Sequence, residues 1–494
     1  MRRPAGLPSV QAVQTLGHMR LRAVVVLLAL AACKKAADAP IIYSPPPAPD
    51  AGSEPATPPD AGEPDAGVPD AGPPDAGPDP HRAGGLGVGP FPAKPPLTIY
   101  GSAEGLLEAP ISASVDEGEN LWVVTHSALY LLEPGAKIFR RYTAQDGLHY
   151  GPGWTESPDI TLVEGGAKGE CFIGYSARDT NSSMFKDAHL WTDPWAHKGK
   201  MDQVLLQPDG SLKVNRYDLR NSNDGHYYET RTITSMVYDH FQHPGNLYVG
   251  SNHGITRIIP AKYYPPPHLD TDPFNTWDER QWYADHVHPV ACIGGPCTPD
   301  KVITFGDWFG LALGPDGRLW MGGLTSAGAL KFKEQLSDWV QSWEPINPFS
   351  PSFEWPPVFL PPREGDPVNI RAVGVTPDGM VWFASGEADD WRGRTYGIAG
   401  WDGRHFTYFD PTALGAIEYN ILELQALPDG RLVFGFPNSG LLVWEPGDPK
   451  GHRLTQRDGL PGERIGRMSQ DRMHNPPLLL VPTDGGLAIF RGVP

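Results

Sequence analysis

One phrase recurs along this chain and limits what the chain can fold into. Pro315 to Gly323 reads PDGRLWMGG, Pro377 to Ser385 reads PDGMVWFAS, and Pro428 to Pro437 reads PDGRLVFGFP. Looser copies stand at Asp116 to Thr125 (DEGENLWVVT) and Gly245 to Asn252 (GNLYVGSN). Each copy is a tight Asp/Gly or Gly/Asn turn followed by a short apolar run, which is a hairpin signal. Recurrence at about 40 to 60 residues predicts a repeat architecture.

From Leu97 onward the chain is dense in short β-prone runs and turns, with no useful stretch of helical period. Seven units can be counted. The first, Ile111 to Tyr142, holds four runs in one meander, the size of a propeller blade. The others begin near Ile160, Thr232, Phe309, Ile370, Ile421 and Glu463. Counts of six or eight stay open because the second unit is stretched. The seventh unit ends one strand short at Pro494, and Leu97 to Leu106 (LTIYGSAEGL) matches the outer-strand phrases RYTAQDGL, ending at Leu148, and RLTQRDGL, ending at Leu460. The N-terminal piece is therefore expected to pair as the outer strand of the last blade, which removes open sheet edges. The predicted fold is all-β: a single propeller of four-stranded blades over residues 97–494.

The pattern of strand, Asp-Gly turn, Leu-Trp-x-Gly, Gly-Leu-Tyr and Tyr-Thr-x-x-Asp-Gly-Leu resembles the two-component-regulator propeller repeat, a WD40-like module. The match is closest at Ile111 to Leu148, Arg371 to Trp382 and Ile421 to Leu460. This resemblance implies a fold and no catalytic residues. Propellers of that family often sense ligands outside the membrane and lead into a transmembrane helix and a kinase. Here the sequence stops at the last blade, so any signalling is expected to pass through a separate partner.

Residues 1–32 end in MRLRAVVVLLALAA, two arginines before about ten apolar residues, too short to span a bilayer. Met19 is a candidate true start. Leu30-Ala31-Ala32-Cys33 resembles the lipobox of bacterial lipoproteins, which implies cleavage before Cys33 and its lipidation; ordinary cleavage or an uncleaved anchor is the alternative. Lys34 and Lys35 follow, with no Asp, which by analogy with enterobacterial sorting leans to the outer membrane. Residues 33–96 then form the expected tether. Pro-Asp-Ala-Gly occurs five times, starting at Pro49, Pro59, Pro64, Pro69 and Pro74, and the segment has almost no apolar mass to bury. In an extended proline-rich form, residues 40–96 would reach at most roughly 180 Å.

The formal charge is −18 and four arginines but no acids lie in the first 32 residues, so a product beginning at Cys33 carries −22. That balance argues against nucleic acid and against electrostatic docking on anionic lipid, leaving the N-terminal lipid as the expected membrane attachment. Of four cysteines, Cys171 in GECFIGYS reads as a buried free thiol. Cys292 and Cys297 (CIGGPC) are a disulfide candidate in an exported protein. A zinc site with His286 and His288 is the rival reading.

In a four-stranded blade the second-to-third turns and the blade-to-blade links share one face. That face receives nearly all the long segments: 146–159, 177–200, 285–305, 345–369, 386–396 and 410–420. Long loops on a rigid frame are where binding concentrates. His126, Asn252, His253, Asn438 and Asp484 are expected to ring the funnel mouth there, unless each only supports its own turn. Glu387 to Arg392 holds Asp389 and Asp390, which suit Ca²⁺, with Trp391 and Arg392 beside them; a solvated loop is the plain alternative. Pro351 to Pro362 carries Phe353, Trp355 and Phe359, suited to an interface or to folding back over the ring. His240 and His243 lie in a turn on the opposite face and lack a third metal ligand nearby. No phosphate loop, nucleophile elbow or His-Glu-x-x-His occurs. The expected protein is a monomeric, lipid-anchored envelope module without a cofactor that binds a protein or glycan. The alternative is a lyase or hydrolase with a funnel site around His126, His253 and Asp484.

Overall fold

The computed structural model describes residues 96–148, 159–176, 200–218, 232–251, 254–260, 282–287, 291–292, 302–303, 308–324, 327–331, 343–346, 348, 369–387, 395–473 and 477–492. Its architecture is a β-propeller of seven four-stranded antiparallel blades.

The strands follow the repeats. Blade 1 is Ser112–Val115, Leu121–Val124, Leu129–Leu132 and Arg140–Tyr142. Blade 2 is Asp159–Gly165, Glu170–Ser176, Lys200–Leu206 and Leu212–Asp218. Blade 3 is Ile233–Tyr238, Leu247–Ser251, Ile255–Pro260 and Trp282–Val287. Blade 4 is Trp308–Leu313, Arg318–Gly323, Ala327–Lys331 and Trp343–Ile346. Blade 5 is Ile370–Val375, Val381–Ser385, Ile398–Trp401 and Phe406–Phe409. Blade 6 is Glu423–Ala426, Leu432–Gly435, Leu441–Trp444 and His452–Leu454. Blade 7 combines Ser469–Asp471, Leu478–Thr483 and Gly486–Arg491 with the N-terminal strand Leu97–Tyr100.

The ring closes as the sequence predicts. Leu97 pairs with Phe490 and Tyr100 with Leu487, antiparallel. The three look-alike phrases have one local structure. After the outer strand, Thr143 and Thr455 accept from the backbone N–H two residues on, and Asp146 and Asp458 accept from the threonine N–H. In the N-terminal copy Glu104 accepts from Gly101 N–H at 2.8 Å. Each turn ends in a left-handed glycine and then a buried leucine: Leu106, Leu148 and Leu460.

The recurring Pro-Asp-Gly is the first-to-second turn. Asp316, Asp378 and Asp429 each accept from the backbone N–H two residues later at 3.1 Å. The glycine between them takes the left-handed conformation, as at Gly379 (φ 85°). The looser first copy solves the turn differently. There Glu119 is the left-handed residue (φ 64°), and the fully buried Asp116 accepts from Gly118 N, Asn120 Nδ2 and Trp122 Nε1.

Each junction between neighbouring blades has its own apolar cluster. Trp382 and Ala384 of blade 5 pack with Leu424, Phe434 and Trp444 of blade 6, and the Trp382 and Trp444 rings meet edge-on at 5.7 Å. Val123 and Tyr130 of blade 1 pack with Leu480 and Leu487 of blade 7. Close packing leaves no room at some first strands: a Cβ added to Gly310 would lie 2.8 Å from the backbone N of Val373. Cys171 is buried and unpaired, as read from the sequence.

Two boundaries and one segment differ from the sequence reading. The fourth strand of blade 4 runs to Ile346, so Pro345 is strand and not link. The segment after blade 3 begins beyond Val287, since Asp285 to Val287 pair with Arg257 to Ile255. Within it, Ala291–Cys292 pairs with Val302–Ile303 as a small hairpin arm. β-propensity in a run such as WYADHV fixes a strand only roughly at its ends, because the ladder partner sets them.

Candidate functional site

Two regions stand out: the central channel and the face that carries the links.

The first strands of all seven blades surround the channel, which holds a cavity of about 210 Å³. That is below the ~300–1,000 Å³ of ordinary ligand pockets. Serines stitch the wall. Ser114 Oγ accepts from Gly165 N at 2.9 Å, and Ser235 Oγ donates to Trp308 O at 2.9 Å. These bonds join first strands of adjacent blades, where no sheet ladder can.

Charged groups gather where the first strands begin, at the link end. Arg371 of blade 5, Glu423 of blade 6 and Arg467, just before the first strand of blade 7, all line the channel. Arg467 Nε lies 3.6 Å from Glu423 Oε1, and Arg467 Nη2 donates to Phe309 O at 3.3 Å. The Arg371 guanidinium sits 4.2 Å above the Phe309 ring, a cation–π contact. Toward the other end, Glu164 Oε1 accepts from Tyr238 N at 3.0 Å. Between them Gln470 donates to Gln425 Oε1 at 3.0 Å and to Ala426 O at 2.9 Å, while its own Oε1 is buried without a partner.

Burial pushes the Glu164 carboxyl up to about 7, against a backbone N–H from Tyr238 and the Arg467 charge. Burial also pushes Glu423 up to about 7, against Arg467 and Arg371. The Glu423 side chain, in the channel wall, keeps 14 % of its surface open. Lumen water therefore tempers the shift. Carboxyls that titrate near neutrality in a cavity can give and take protons.

The link face can be followed at the junction of blades 5 and 6. Asp410 accepts from Thr412 N at 2.7 Å and from Tyr419 Oη at 2.9 Å. Glu418 accepts from Asn438 N at 3.1 Å and Ser439 Oγ at 2.6 Å, tying the link to the next blade's turn. Glu387 N donates to Asn420 Oδ1 at 2.8 Å. On this braced link Ile417 is 66 % exposed and Tyr419 39 %.

The sequence-predicted residues fall as follows. His126 and Asp484 are exposed on second-to-third turns, and Asp484 Oδ1 accepts from Arg464 N at 3.3 Å. Neither is among the residues lining the channel cavity. The reason is geometric: second and third strands lie one and two ladder spacings of ~4.8 Å outward from the first. Asn438 likewise stands on a second-to-third turn, where its Nδ2 donates to Glu418 Oε2 of the preceding link at 3.4 Å. His240 does reach the channel wall, at its other end, packed against Tyr238 with the two rings tilted by 55° and Nδ1 3.2 Å from Glu117 Oε1. Asn252, His253, Trp355, Asp389, Asp390, Trp391, Arg392, Cys33 and Cys297 lie outside the described residues, and Cys292 is placed by its backbone alone. Among the described residues no three His, Cys, Asp or Glu side chains converge as a metal site.

Sequence reasoning missed Glu164, Arg371, Glu423, Arg467 and Gln470. A signal was there: each is a charged or amide residue set in or at the edge of the run that opens a unit, as in ITLVEGG, NIRAVGV, ILELQAL and ERIGRMSQ.

No protein-family model matches the chain. No curated protein matches it. Among solved structures, it is similar to the extracellular domain of a hybrid two component system from B. thetaiotaomicron, at 12 % identity and TM-score 0.46 over 80 % of this chain and 41 % of that one. The chain thus spans less than half the length of that protein. It is also similar to a chain of the mitotic checkpoint complex (12 % identity, TM-score 0.45, 82 % of this chain and 96 % of that one). A third is streptogramin B lyase (10 % identity, TM-score 0.42, 80 % and 96 %). The propeller assignment rests on the chain's own sheets.

Proposed function

We propose that this protein is a binding module of the bacterial cell envelope, held by lipid at Cys33 and gripping a protein or glycan with its link face. One observation carries the reading: Ile417 and Tyr419 stand exposed on a link that Asp410, Glu418 and Asn420 brace against two blades. Apolar and aromatic groups on a preorganised frame lose little freedom on binding. Trp355 and Trp391 are expected on the same face and extend it. The test is affinity capture from envelope extract with residues 84–494, beside variants Ile417→Ala/Tyr419→Ala and Trp355→Ala/Trp391→Ala. A ligand recovered by the parent and lost from either variant supports the reading. Equal recovery by all three removes the link face from it.

A second reading is favoured by the Glu164 and Glu423 carboxyls, both pushed up to about 7 in the channel. They suit a general acid and base, and support a lyase or hydrolase reading centred on the channel more than one centred on His126 and Asp484. Turnover lost in Glu423→Gln with the fold intact would carry it.

A further inference from the structure

We propose that the channel is a binding site for a small organic acid, a carboxylate of a few carbons carrying a hydroxyl or ammonium donor. This goes beyond the link-face reading, and the two can fail separately.

Three observations converge. First, two guanidiniums, Arg371 and Arg467, flank the single carboxylate of Glu423 at one level of the channel. Arg467 approaches Glu423 through Nε at 3.6 Å, not as a bidentate fork, so that pairing leaves guanidinium capacity for a second carboxylate. Second, the charge is polarised along the axis. Arg371 and Arg467 stand at the link end, while Glu164 and Asp471 stand toward the other, with Arg472 beside them. A molecule with an anionic head and a donor tail fits that direction. Third, an acceptor waits between the two ends: Gln470 spends its amide N–H groups on Gln425 and Ala426, and its buried Oε1 has no partner. A buried acceptor left unpaired is costly, and a ligand donor relieves it.

A cavity of about 210 Å³ admits a compact acid and excludes a peptide or an oligosaccharide chain. At the link end Asn369, just before the strand that presents Arg371, is fully buried and left-handed (φ 46°), and both its side-chain amide atoms are unpartnered. Strain and unpaired polar atoms concentrate where proteins bind.

The experiment is thermal-shift and calorimetric titration of residues 84–494 with lactate, malate, glycine and glutamate, beside acetate and sulfate. Saturable binding of at least one hydroxy or amino acid, weaker by about tenfold or more for acetate, is expected. Arg467→Gln should weaken it by about tenfold or more. Gln470→Glu removes the neutral acceptor without removing either arginine, and should change the preference between hydroxy and amino acids. If Arg467→Gln fails to fold, the Gln470→Glu result decides. Binding by none of the four acids, unchanged binding in both variants, or binding of sulfate alone overturns the proposal.

Discussion

Ser469, in the last blade, donates a hydrogen bond to the carbonyl of Ala113, in the first, at 2.6 Å and across 356 residues of sequence. Arg467 N donates to Ile111 O at 2.8 Å beside it. The seam that joins the two ends of the chain is thus fastened at its inner rim by these bonds and at its outer rim by Leu97–Tyr100.

Removing residues 97–100 should unfasten the outer rim. The melting temperature should fall by roughly 5–15 °C, and the bared Gly486–Arg491 edge should promote self-association. Calorimetry and light scattering check this. Ser469→Ala, by comparison, should cost about 1 kcal/mol and leave the protein monodisperse.

The fold was legible because its repeat unit is local. Turn chemistry at Asp378-Gly379 and the Thr455 to Gly459 cap needs only neighbouring residues, so the sequence carries it openly. The channel was not legible for the opposite reason. Arg371, Glu423 and Arg467 are separated by about a blade of sequence each, and only the packing of successive blades around the channel sets them at one level. His126 and Asp484 are expected from the sequence at the funnel mouth; both stand exposed on second-to-third turns, and Asp484 Oδ1 accepts from Arg464 N of the preceding link.

Asp116→Ala should be among the most damaging single changes in blade 1. It strips the acceptor from Gly118, Asn120 and Trp122 and from Gly169 N in blade 2, all at 2.7–3.2 Å. A loss of about 3 kcal/mol or more in denaturant unfolding is expected.

Gly310→Ala should destabilise by about 1–3 kcal/mol through its clash with Val373, although its backbone angles suit any residue. Gly403→Asn is the contrasting case. Its φ is 93° but nothing lies within 4 Å of the added Cβ, and Asn tolerates that conformation, so unfolding should shift by less than about 1 kcal/mol.

Stability should fall as pH rises toward neutrality. Glu164 and Glu423 hold their protons more tightly in the folded chain, near 7, than the ordinary 4.5. Their contribution is whole below about 4.5 and is lost as pH rises through about 7, on the order of 1–3 kcal/mol together after allowance for lumen water. Urea unfolding at pH 5 and pH 8 should show the drop, and Glu164→Gln/Glu423→Gln should flatten it.

Cys171 should resist thiol reagents in the native protein. Burial, then nearby Asp116, Glu170 and Asp202, raise its thiol well above the usual range, which suppresses the reactive thiolate. Peptide mapping should find it alkylated only after unfolding.

The closing strand also sets how the domain bears load. A pull that reaches the propeller from its N-terminal side enters at Leu97, and the first structure it meets is a ladder of four residue pairs. Force is thereby concentrated on one short seam and not spread over the seven blades. Yield at that seam would free the outer strand while the three inner strands of blade 7 stay in register, so the ring has a mechanical fuse at the point where it would be tethered.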